Sequence, residues 1–95
     1  MSAIESTNEV YSMLRMKMVV NTVSRSADHN GDISAEEITL SAVYSDKEGS
    51  ANKQWSKWTP TGNLRFSVTN PAAFGKLLPG KFVYLDITET DKDSL

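Results

Sequence analysis

Two stretches of this chain carry residues that could do chemistry. The first is "SADHNGDISAEEIT", residues 26–39, where Asp28, Asn30 and Asp32 alternate beside a glycine and ahead of an acidic pair. A calcium loop of the EF-hand kind needs oxygen ligands at its first, third and fifth positions, glycine at the sixth and a bidentate glutamate at the twelfth. Counted from Asp28, the sixth position is Ile33, whose β-branch resists the sharp turn. Glu36 and Glu37 then fall at the ninth and tenth positions, too early to close around an ion. The flanks "MKMVVNTV" and "ITLSAVY" read as strands rather than helices. The stretch is expected to be a hairpin connection turned by Asn30-Gly31, and no metal is expected.

The second stretch is "SANKQWSKWTPTG", residues 50–62. It has no proline before Pro60 and opens on a serine suited to an N-cap, which predicts a short helix over residues 50–58. Trp55 and Trp58, three residues apart, share nearly the same helix face, with Lys53 and Lys57 in the same turns and the hydroxyls of Thr59 and Thr61 just beyond. Aromatic faces beside cations and hydroxyls are what a ligand made of nucleobase and phosphate requires: stacking for the base, charge-assisted hydrogen bonds for the phosphate. The competing reading is that the indoles plug the open end of a small sheet as core. Catalysis is not expected. His29 is the one histidine, cysteine is absent, and the spacing does not bring Glu36, Glu37 or Asp86 together as an acid–base pair.

The elements that must position these residues belong to one domain, since 95 residues support a single modest core. The lack of cysteine fits a reducing cytoplasm. No apolar run is long enough to span a bilayer, and the basic-then-apolar order of a signal peptide is missing, so a cytoplasmic protein without a membrane partner is expected. Net charge is −2, but residues 47–81 set six cations (Lys47, Lys53, Lys57, Arg65, Lys76 and Lys81) against Glu48 alone, a local balance of +5. A basic segment in an acidic protein suits a compact anionic ligand and disfavours duplex DNA; solvated loop lysines are the bland alternative.

From Leu14 the pattern has period two, with Leu14, Met16, Met18 and Val20 on one face and Arg15, Lys17, Val19 and Asn21 on the other. Ile38, Leu40, Ala42 and Tyr44 repeat it, as do Leu64, Phe66 and Val68, and then Val83, Leu85 and Ile87 with Phe82 and Tyr84 opposite. A second short helix is expected after Asn70-Pro71, ending near Gly75. The predicted fold is α+β and mostly β: a small antiparallel four-stranded sheet or a partly open barrel, ordered β-β-α-β-α-β, with two short helices. Residues 1–13 form an N-terminal extension, in which Ser6 and Glu9 have capping-box spacing, residues 14–90 the β-rich domain and residues 91–95 an acidic tail. Apolar residues on the second faces, Val19 and Val23 or Phe82 and Tyr84, together with two sheet edges, predict a homo-oligomer, dimer or tetramer.

Residues 40–88 carry a spaced pattern: Leu40-Ser41, Asn52-Lys53, an aromatic at Trp55, Thr59-Pro60-x-Gly62, Asn70-Pro71, Gly80-Lys81 and Tyr84-x-Asp86. This pattern resembles a group of small bacteriophage- and prophage-encoded proteins over residues 14–88, with residues 1–13 as a departure. The resemblance is to the phage anti-defence sponge proteins, oligomers that sequester the cyclic oligonucleotide signals of CBASS immunity in the host cytoplasm. It implies a non-catalytic protein without cofactor, and assigns ligand contact to Lys53, Trp55, Trp58, Thr59, Thr61 and Arg65. A single-stranded nucleic acid-binding accessory protein, a phage assembly component and a hydrolase remain as other readings of the same residues.

Overall fold

The computed structural model describes residues 14–93. Four antiparallel strands, β1 (Leu14–Ala27), β2 (Ile33–Ala42), β3 (Asn63–Val68) and β4 (Phe82–Ile87), form one open sheet in the order β3-β2-β1-β4. One helix, α1 (Ala51–Trp58), lies between β2 and β3. The predicted α+β, mostly β class holds, and of the two predicted geometries the chain adopts the open sheet. The expected N-terminal extension lies outside the described residues.

The hairpin joining β1 to β2 is closed by local polar groups. Gly31 takes the left-handed conformation at φ 88°, and its N–H donates to the Asp28 carbonyl at 3.0 Å. The Asp28 carboxylate accepts from the N–H groups of Asn30 and Asp32 at 2.9 and 3.0 Å. That carboxylate is thus committed to holding a turn, the use its side chain commonly finds in loops.

Period two fixes which side chains share a face, and a bulge resets the count. Val20 pairs with Leu40 but Thr22 pairs with Thr39, so Asn21 is the extra residue on β1. Beyond it Val23 stands opposite Ile38 and packs against the core. This corrects the expectation that Val23 shares the second face with Val19. The period-two reading of β2 also ran too far. The strand ends at Ala42, Val43 turns inward to near-complete burial with its N–H on the Lys17 carbonyl at 3.2 Å, and Tyr44 is left exposed.

The core is the layer on one face of the sheet. Met18, Val20, Ile38 and Leu40 are buried at its centre, with Leu64, Phe66, Val83 and Leu85 partly buried around them. Because β3 and β4 stand at opposite edges, about 14 Å apart at three strand spacings, the connection between them must cross the sheet. It crosses on the core face, where Leu77 joins the apolar cluster. The predicted second helix shrinks to one 3-10 turn, Pro71–Ala73, capped by the Asn70 side chain on the Ala72 N–H at 3.1 Å. Phe74 is already extended (φ −66°, ψ 139°) and Gly75 has φ 78°, conformations that no helix continues through.

A buried acid ties this crossing down. Glu36 lies on the core face with 0% exposure, and its Oε2 accepts from Arg25 Nε at 2.8 Å and from the Gly75 N–H at 3.0 Å. A buried carboxylate is costly unless paired and hydrogen-bonded, and these two donors meet that condition at one oxygen. Glu36→Ala should therefore leave the Gly75 N–H without its acceptor and loosen the crossing, at a cost of about 1–3 kcal/mol. Urea unfolding checks this: an unchanged midpoint would show that the crossing is held without Glu36, by Leu77 and by the backbone bonds of Gly80 and Lys81 to Val20.

Candidate functional site

The helix that carries the tryptophans is positioned by hydroxyls. Ser50 Oγ accepts from the Lys53 N–H at 3.1 Å, as an N-cap should, and Ser56 Oγ donates to the Asn52 carbonyl at 2.7 Å. The Ser45 N–H donates to Ser56 Oγ at 3.3 Å, which ties the loop after β2 to the helix. At the other end the Thr59 N–H donates to the Trp55 carbonyl at 2.8 Å. Thr59 thus serves α1 through its backbone.

The six sequence-predicted contact residues do not gather in one pocket. Trp55 is half-buried, with its ring 5.7 Å from that of Tyr84 and tilted 51° to it. Trp58 is 68% exposed, and its ring carries Lys57 Nζ at 5.3 Å. Lys53 Nζ is engaged with Glu48 Oε2 at 2.5 Å. Thr61 lines a shallow recess of about 220 Å³ with Ser41, Ala42, Pro60, Gly62 and Asn63. Arg65 lies on β3 and reaches Glu37 Oε2 at 2.8 Å, three strands away from the Trp55–Tyr84 contact. The three carboxylates weighed for catalysis are also dispersed. Glu36 and Glu37 are neighbours on one strand and so point to opposite faces, while Asp86 sits on β4 against Arg15 at 2.6 Å.

What the structure adds is the sheet face opposite the core. Its β2–β3 half is small and polar, with Thr39, Ser41, Asn63 and Ser67 around the Glu37–Arg65 pair. Its β1–β4 half is aromatic and cationic. There Arg15 stands opposite Asp86, Lys17 opposite Tyr84, and Val19 opposite Phe82. Each cation leans diagonally to the next pair: Arg15 Cζ lies 4.6 Å over the Tyr84 ring, and Lys17 Nζ 5.3 Å over the Phe82 ring. Asp86, by hydrogen bond first and by charge second, raises the pKa of the Arg15 guanidinium above its ordinary value, so Arg15 is a fixed cation. The alternation of both strands is readable in the sequence. Their mutual register, which makes cation–ring pairs of these residues, is not.

Among the described residues no helix is long and apolar enough to cross a membrane. Comparison with family models, with curated proteins and with solved structures returned no match.

The two indoles should separate cleanly on truncation. Trp58→Ala, at an exposed position, is expected to move stability by no more than about 0.5 kcal/mol. Trp55→Ala loses its ring pairing with Tyr84 and should cost at least the roughly 0.5–1.5 kcal/mol of such a pair. Urea unfolding of both variants checks the contrast, and equal losses would refute it.

Proposed function

We propose that this chain is a non-catalytic binding protein that sequesters a small anionic ligand of nucleobases and phosphate, with a cyclic oligonucleotide immune signal as its leading occupant. The observation that carries this reading is the cluster of Trp55, Tyr84 and Arg15: two rings in contact with a guanidinium over one of them. Rings of this kind stack on bases, and cations beside them take the phosphates. The cyclic class comes from the resemblance to phage sponge proteins. It agrees with a protein of net charge −2, a balance that disfavours a long polyanion. In this reading the protein works as a homo-oligomer, dimer or tetramer, in the host cytoplasm. A second reading, a single-stranded nucleic acid-binding accessory protein, is favoured by the placement of the rings on an open sheet face instead of within an enclosed cavity.

Calorimetry against cyclic di- and trinucleotides, linear oligonucleotides and ATP tests both. At least one cyclic nucleotide should bind with Kd below about 100 μM, be recovered intact after heat denaturation, and lose about 1–3 kcal/mol of affinity in Trp55→Ala. Light scattering should return a multiple of the monomer mass. Failure of every cyclic nucleotide ends the sponge reading, and a hydrolysed ligand ends the non-catalytic one. Affinity that grows with strand length and falls steeply with salt would put the single-stranded reading first.

A further inference from the structure

The exposed rings of β4 are not explained by the helix-borne residues assigned from sequence. Phe82 and Tyr84 are each 55% exposed although each has a cation over its ring, so a ligand still has access to both. They lie two residues apart on one strand and share a face, which puts their backbone positions roughly 6.8 Å apart. That is about twice the 3.4 Å that separates successive bases in a stacked strand. Two neighbouring bases can occupy both rings only when splayed apart, as single-stranded and looped ligands allow and a duplex does not. The cations differ in availability. Arg15 is held by Asp86, whereas Lys17 forms no ion pair among the described residues.

We infer that the face shared by β1 and β4 is a two-ring stacking platform, on which Tyr84 and Phe82 each receive one base of the ligand and Lys17 contacts the phosphate between them. The inference rests on the proposal that the ligand carries nucleobases, and it moves the main contacts from the 53–65 segment to Lys17, Phe82 and Tyr84, with Trp55 as the back wall of the Tyr84 position. The ligand class follows from the charge and the spacing: at least two unpaired bases joined through a phosphate.

The test titrates the full chain with two probes, a fluorescent ten-residue oligothymidylate and a cyclic di-adenylate, each over a series of salt concentrations. Phe82→Ala and Tyr84→Ala should each weaken binding of whichever probe the wild type holds by roughly 5- to 150-fold. Lys17→Ala should weaken the oligothymidylate and reduce the magnitude of its salt slope by about 0.7, the amount for one phosphate contact on a single strand. Thermal melts of the three variants confirm that the sheet survives, as expected for side chains away from the core face. If Phe82→Ala and Tyr84→Ala bind like wild type while Trp55→Ala does not, the platform is wrong and the nucleotide-binding reading stands. If wild type binds neither these probes nor any nucleotide in the calorimetric panel, both fall together.

Discussion

The connection from β3 to β4 is the constraint that shapes this molecule. The two strands it joins are the two edges of the sheet, so the chain has to pass across one face, and the face it crosses becomes the interior. Leu77 gives that passage an apolar contact, and Glu36 and the Val20 backbone give it polar ones. The price is a carboxylate with no exposure, of which one oxygen takes both Arg25 and the Gly75 N–H, while Oε1 finds no partner among the described residues. Arg25 keeps nearly half of its side chain in water, so the pair anchors the crossing without burying both charges.

The same topology accounts for the other face. A sheet with a single covering connection has one dry side and one wet side, and the wet side is free to carry residues chosen for something other than packing. Here the division runs along the sheet as well as through it. Hydroxyls, amides and one closed ion pair occupy β2 and β3, whereas β1 and β4 carry rings with cations leaning over them. α1 contributes Trp55 at the boundary of that aromatic half, its first turn capped by Ser50.

Local signals in the chain were readable to the extent that they were local. The four strands, the Ser50 cap, the Gly31 turn and the Asn70 cap all follow from residue types within a few positions of each other. Two expectations failed because a distant partner decided the outcome. The helix expected through Gly75 gives way to extended chain, where the Gly75 N–H meets Glu36 across 39 positions. Val23 changes face because of the pairing of β1 with β2, which no pattern inside β1 reveals. The candidate site shows the same limit. Trp55, Lys53 and Arg65 stood out by type and nearness in sequence, yet the structure places Arg65 on the far edge strand, while Tyr84, remote in sequence, stands beside Trp55 with Arg15 over its ring.

The bulge at Asn21 works as a phase shifter within a single strand. Upstream of it the even-numbered residues of β1 face the interior; downstream the odd-numbered ones do, Val23 and Arg25 among them. What position 21 encodes is therefore a count, with the chemistry of its side chain secondary. Loss of that one residue would remove the bulge and leave one unbroken alternation in which Val20, Val23 and Arg25 all keep the interior face, whereas pairing Asn21 into a regular ladder would turn Val23 into water and carry Arg25 away from Glu36. The bulge thus absorbs one surplus residue of length and keeps it from reaching the residues downstream.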